Sequence, residues 1–340
     1  MSGRSSKKIL FIAALCTAAA GMLFSLFFLD YSTSPAGAGT AEVVMEISPG
    51  SSFSRVAQSL ENRGVISHRY MFHLLAAMKG AVTSVQAGEY VFAASATPLE
   101  VLERLVKGRV REYRIVIPEG FTVRQIAARL ASRHLVDEGR FNELAFSRKF
   151  CVTLGIHGES AEGYLFPDTY LFTRSMKEEE MIRCMVKLFR ERLPLRTGAE
   201  ARRLGCSLAE IITIASIIEK EGGEPAEWPL TSAVLHNRLK KRMKLQSDPT
   251  VIYAIRNFDG NLTEEHLKIQ SPYNTYVIQG LPPGPVCNPG ILAMEAALHP
   301  ASVEYLYFVS NNSGGHVFSS TLAEHSRAVA RYRLKKKANQ

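Results

Sequence analysis

Apolar residues along this 340-residue chain fall into three regimes. Residues 9–29 carry no charge, and about 20 apolar residues suffice to cross a bilayer as a helix. Further on, apolar positions recur in short bursts at helical spacing. Ile47-Ser48-Pro49-Gly50 leads into Phe53, Val56, Ala57 and Leu60, then Val65 and Ile66. Seventy positions later, Ile117-Pro118-Glu119-Gly120 leads into Val123, Ile126, Ala127 and Leu130, then Leu135 and Val136. Met71 and Leu74 match Phe141 and Leu144 in the same way. The third regime is residues 208–221, where isoleucines crowd most of one predicted helix.

Each repeat copy predicts a strand, a tight glycine turn, an amphipathic helix, a short turn and a second helix. Residues 86–92 read as a returning strand and 97–106 as another short helix. Residues 30–40, rich in Ser, Gly, Ala and Thr, read as a flexible linker. The remainder is long enough for two domains. The repeat occupies 41–146, a second domain 147–333, and a basic tail 334–340. In the second domain, helices are predicted at 208–221, 230–239 and 321–333, and a strand at 305–309. The fold class is therefore α+β: a single N-terminal transmembrane helix, small βαα units, and a mainly helical domain with a small sheet. Such βαα units resemble LysM modules, which bind cell-wall glycan; the alternative is a repeated scaffold acting only as a spacer.

Charge then fixes the expected compartment. Arg4, Lys7 and Lys8 precede the apolar stretch and Asp30 is the first acid after it. The positive-inside rule leaves residues 1–8 in the cytoplasm and everything beyond the span outside. A cleaved signal peptide competes, since Ala36-Gly37-Ala38 has the small-x-small form, but its apolar region would exceed the usual ~7–15 residues. Cys16 suggests a lipoprotein, yet Ala13-Ala14-Leu15 is a poor approach to a lipid-modified cysteine. The net charge of +9 includes Arg331, Arg333 and Lys335 to Lys337. Outside a membrane, such a surface suits anionic headgroups or an acidic wall polymer, and the topology argues against nucleic acid. Cys151, Cys184, Cys206 and Cys287 show no CxxC spacing, so they fit one or two disulfides or small core residues equally well. No metal and no cofactor are expected.

The candidate chemistry sits on the isoleucine-rich helix. Ser207 and Glu210 have capping-box spacing and start it at Leu208. Glu219 follows Ser216, Ala215 and Ile212 by three, four and seven residues, which places it on their face. A carboxyl there is poorly solvated, its pKa rises, and it serves as a general acid; the plain alternative is a salt-bridged glutamate at a helix end. Glu221 points about 200° away and is expected at the surface or as a cap. Beyond the helix, polar and aromatic loops cluster: 162–170, 237–239, 245–250, 271–276 and 280–285. Alternating Asn, Gln, Ser and Tyr suits a sugar cleft, although the same residues build ordinary turns. Candidate substrate-binding residues are Asn237, Gln246, Ser247, Asp248, Tyr273, Asn274, Thr275 and Tyr276. Asp248 reads as an orienting group, or as a turn residue before Pro249.

The order Glu-Gly-Tyr-Leu-Phe-Pro-Asp-Thr-Tyr (162–170), Ala-Ser-Ile-Ile-Glu-Lys-Glu (215–221), Leu-Gln-Ser-Asp-Pro-Thr (245–250), Ser-Pro-Tyr-Asn-Thr-Tyr (271–276) and Gly-Leu-Pro-Pro-Gly-Pro (280–285) resembles endolytic murein transglycosylases of the MltG (YceG-like) type. The resemblance spans nearly the whole chain; Ser247 stands where that family's pattern has Thr. It implies cleavage within nascent peptidoglycan strands to leave 1,6-anhydro-N-acetylmuramic ends, with Glu219 as catalytic glutamate. It also implies a single-pass protein of the cytoplasmic membrane working close to peptidoglycan synthases. Two other readings are a Ser216–Lys220 hydrolase, from residues four apart on one helix, and a non-catalytic wall tether acting through the repeat.

Overall fold

The computed structural model describes residues 2–37, 39, 41–194 and 196–338, and side chains from 8 to 332 within those. Met1, Ala38 and Thr40 of the expected N-terminus, cleavage motif and linker, and Asn339 and Gln340 of the basic tail, lie outside the described residues. The chain divides into two compact units, residues 1–113 with 173–175, and residues 114–172 with 176–340.

In the first unit the N-terminal helix runs Ser2–Thr33. Its segment Lys8–Thr33 is the one helix among the described residues long and apolar enough to cross a membrane, and none of its most apolar window is buried by protein. The helix continues past the expected end of the span. Asp30 to Thr33 are helical rather than linker, because Tyr31 and Ser32 are buried and the Tyr31 hydroxyl donates to the His68 carbonyl at 2.9 Å. The strand Glu42–Ile47 then pairs antiparallel with Gly88–Ala93, Glu42 opposite Ala93 and Ile47 opposite Gly88. Between them lie helices Phe53–Asn62 and Arg69–Met78, and Pro98–Val106 follows. Ser52 caps the first by accepting the Arg55 N–H, while Thr97 and Glu100 form a reciprocal capping box on the last. The expected stripe Phe53, Val56, Ala57 and Leu60 faces inward and joins Phe72, Tyr90 and Phe92 in the core.

The second unit opens with the second repeat copy. Strand Tyr113–Val116 pairs with Thr169–Phe172, and helices Val123–Ala131 and Glu138–Ala145 intervene. The strand and helix order of the repeat is as the sequence predicts, but the division of the chain falls after residue 113 rather than after 146. The reason is hydrogen bonding between this copy and the segments beyond it. Gly120 donates its N–H to the Asn288 carbonyl, Asn288 donates its own to Phe121, and Ala161 donates to Ala145. The Val123 N–H, free at a helix start, donates to the buried Glu162 carboxyl at 2.9 Å.

At the centre of this unit is the helix Leu208–Glu221, started by the expected Ser207–Glu210 capping box. Ile211 to Ile218 are all buried, packed against helices Ile291–Leu298, Trp228–Lys240 and Asp248–Ala254. A hairpin pairs Tyr307–Ser310 antiparallel with His316–Ser319, in register from Tyr307–Ser319 to Ser310–His316. The final helix, Leu322–Ala338, extends into most of the expected tail. Mixed helix and small sheets are thus the architecture. The cysteines are all free, with Cys151 and Cys287 buried as small core residues.

Glu162 joins the second repeat copy to the rest of its unit, accepting also from Asn288 Nδ2 at 3.0 Å and the Tyr253 hydroxyl at 3.1 Å. Burial pushes its carboxyl up to about 8, against the opposing pull of Val123, Tyr253, Arg124 and Asn288. A folded pKa above the ordinary 4.5 means that its stabilising contribution is complete below 4.5 and is lost as pH rises through about 8. Wild type should therefore lose melting temperature relative to Glu162→Gln between about pH 5 and about pH 8. Parallel melting-temperature curves over that range would contradict this linkage.

Candidate active site

The helix Leu208–Glu221 ends in two glycines, and its last turn carries two carboxyls in different surroundings. Glu219 is partly buried and its Oε2 accepts the Gly290 N–H at 3.0 Å. Burial raises its pKa, the nearby Glu119 raises it further, and the Gly290 N–H and Lys220 oppose the shift. Glu219 does not line the cleft described next. Glu221 does, and this corrects the expectation of a surface or cap residue. The two glutamates diverge around the helix as predicted, but the open cleft lies on the side of Glu221.

That cleft, of about 530 Å³, is lined by Glu221, Arg238, Gln246, Asp248, Tyr276 and Tyr307, with His316 and His325 at the hairpin and final helix. Desolvation pushes Glu221 up to about 7; Asp248 adds to the rise, and Ser247 and Arg238 oppose it. The Ser247 hydroxyl donates to Glu221 Oε1 at 2.5 Å. The position of Glu221 at the C-terminal, negative end of a helix disfavours ionisation in the same direction. A carboxyl that holds its proton near neutral pH, facing a polar and aromatic cleft, is equipped for general acid chemistry.

The predicted binding residues divide into two sets. Gln246, Asp248 and Tyr276 line the cleft, with Tyr276 donating its hydroxyl to Asp248 Oδ1 at 2.6 Å. Ser247 is buried behind them and acts on Glu221. The others hold loops. Thr275 is buried, accepting the Ser247 N–H at 3.0 Å and pairing with Thr250 at 2.8 Å. Asn274 is buried, its Nδ2 donating to Leu267 and Ile269 carbonyls. Tyr273 packs on Tyr253 with ring centroids 4.8 Å apart. Asn237 donates from Nδ2 to the Val303 and Tyr305 carbonyls, tying the strand approach to its helix. Asn237 also borders a second depression of about 710 Å³, whose one lining carboxyl, Glu210, is engaged in the capping box. The Ser216–Lys220 pairing is not formed: buried Ser216 donates to the Thr213 carbonyl at 2.7 Å and accepts the Val286 N–H, while Lys220 is exposed.

The sequence model of the YceG-like family matches residues 45–331. A Bacillus subtilis protein named endolytic murein transglycosylase is 35% identical over 306 residues, covering 85% of this chain and 84% of its own. A protein of the same name from Streptococcus pneumoniae serotype 2 is 29% identical, covering 95% of this chain but 64% of its own length. The crystal structure of a YceG-like protein from Listeria monocytogenes superposes with TM-score 0.59 at 32% identity, over 84% of this chain and 98% of that one.

The chain belongs to the YceG-like family.

Sequence reasoning missed Arg238 and His316, which line this YceG-like cleft, and Glu227, which holds His316. Arg238 is buried, donates from Nε to the Leu306 carbonyl at 2.6 Å and from Nη1 to that of Leu245, and lies over the Tyr307 ring. His316 and its partner Glu227 are remote in sequence and no local spacing joins them; the Gly-Gly-His run at 314–316 was the available signal. Removing the Ser247 hydroxyl takes away the hydrogen bond that favours ionised Glu221. Ser247→Ala should therefore move the Glu221 titration to higher pH, read by carboxyl-labelled NMR; an unmoved or lowered titration would contradict that role.

Proposed function

We propose that this protein is an endolytic peptidoglycan lytic transglycosylase in which Glu221 is the general acid. The observation that carries this reading is a desolvated glutamate that ends the central helix, accepts the Ser247 hydroxyl and lines the cleft, in a chain whose relatives are named murein transglycosylases. A glycosidic oxygen leaves poorly until protonated, so the bond between N-acetylmuramic acid and N-acetylglucosamine needs an acid that retains its proton. Glu221 protonates the leaving oxygen, and the C6 hydroxyl of the muramic residue attacks the anomeric carbon, leaving a 1,6-anhydro end. Asp248 and Tyr276, hydrogen-bonded to each other, and Gln246 bind the strand. Glu219, expected from the motif to be the acid, is the second candidate; its raised pKa favours it, but it lies outside the cleft. The N-terminal helix anchors the protein in the cytoplasmic membrane with the remainder outside, beside the synthases that make nascent strands, and the LysM-like units add affinity for glycan.

Muropeptide analysis of uncrosslinked glycan treated with full-length protein tests the acid. Glu221→Gln should fold and lose at least ~100-fold in turnover, whereas Glu219→Gln should retain most of it. The reverse ranking would return the role to Glu219, and reducing ends in place of anhydro ends would mean hydrolysis. Because Glu221 must be protonated, turnover should fall as pH rises above about 7. A reporter fused to the C-terminus should be active only outside the cytoplasm; activity inside would overturn the orientation.

A further inference from the structure

We propose that His316, held by Glu227, is the base that accepts the C6 hydroxyl proton while Glu221 acts as acid, a division of labour that rests on the cleft reading above. His316 begins the second hairpin strand and lines the same cleft as Glu221. Its Nδ1 lies 3.1 Å from Glu227 Oε2. The same carboxylate accepts the His316 backbone N–H, at 3.0 Å to Oε2 and 3.3 Å to Oε1, so the strand and ring are fixed against one anion. Glu227 immediately precedes the helix Trp228–Lys240, whose N-terminal end favours negative charge. A carboxylate accepts from Nδ1–H, which leaves Nε2 as a lone-pair acceptor. Among the described residues Nε2 has no hydrogen-bond partner, and it is not among the buried, unpaired polar atoms. Phe308 stands edge-on to the ring at 5.3 Å and limits its rotation.

The backbone brings this base beside the acid. Gly223, two residues past Glu221, has φ +77°, and a Cβ there would meet His316 Cε1 at 2.7 Å and Nδ1 at 2.8 Å. The imidazole thus lies directly against the turn that ends the helix of Glu221. That position suits the reaction, because the C6 oxygen bonds to the same anomeric carbon from which the leaving oxygen departs. The O–H bond of the C6 hydroxyl breaks as its proton passes to Nε2, and the oxygen forms the new bond to C1. The bond from C1 to the leaving oxygen breaks, and that oxygen takes the proton of Glu221. Imidazolium and carboxylate remain, and proton transfer through solvent resets both. Glu227 is the positioning residue: its charge fixes the tautomer and stabilises the imidazolium.

The test uses the full-length protein on uncrosslinked glycan, with melting temperature measured for each variant. Folded His316→Ala should lose at least ~100-fold in kcat with KM little changed, and added imidazole should restore part of the loss as a diffusible base. Turnover within a few-fold of wild type, a loss confined to KM, or a loss that imidazole does not restore overturns the proposal. If His316→Ala does not fold, Glu227→Gln decides: a fall of at least ~10-fold in kcat supports the dyad, and wild-type turnover overturns it. Failure here while Glu221→Gln stays inactive removes only the base; an active Glu221→Gln removes the cleft reading itself.

Discussion

A carboxyl at the C-terminal end of a buried helix meets two unfavourable influences at once, the loss of water and the negative end of the helix dipole. In this protein the Ser247 hydroxyl, 2.5 Å from Glu221 Oε1, is the specific contact that offsets them in part. Much of the second unit serves to hold that contact. Thr275 fixes the Ser247 backbone, Asn274 fixes the loop that carries Thr275 and Tyr276, and Arg238 ties the loop before Ser247 to the hairpin approach. Residues that the sequence offers as glycan ligands are therefore partly the scaffold that fixes one carboxyl in place, facing the cleft. A polar loop buried with all its groups satisfied is rigid, and rigidity positions an acid to within a fraction of an ångström.

The second repeat copy contributes to the same end. Its first helix begins on the Glu162 carboxyl, and its glycine turn exchanges backbone hydrogen bonds with Asn288 and Phe121. Asn288 in turn donates to Glu162 and accepts the Leu165 N–H. A motif repeated in sequence thus has two fates. The first copy closes its own core around Phe53, Phe72 and Phe92, and the second is built into the wall of the unit that carries the cleft.

Local signals were legible because they obey short-range rules. The Ser207–Glu210 cap, the inward stripes at Phe53 and Val123, and the hairpin strand near Tyr307 follow from capping and periodicity. The angular separation of Glu219 and Glu221 was equally local. The side on which the cleft opens was not, because it depends on the loop at 245–248, the strand at 307–310 and the helix Leu322–Ala338 arriving from far along the chain. Asn274 and Thr275 look like ligands in sequence because amides and hydroxyls that bind sugars are the same groups that satisfy buried backbone. The Glu227–His316 pair spans 89 residues and leaves no spacing to read.

The central claim is that the bond to be cut lies against Glu221. A crystal structure of Glu221→Gln with an uncleaved glycan strand bound tests it most directly. The scissile oxygen should stand within hydrogen-bonding distance of the side chain at 221, with Asp248, Tyr276 and Gln246 on the flanking sugars. A strand whose scissile oxygen instead meets Glu219, beside Gly290 and Glu119, would contradict the account.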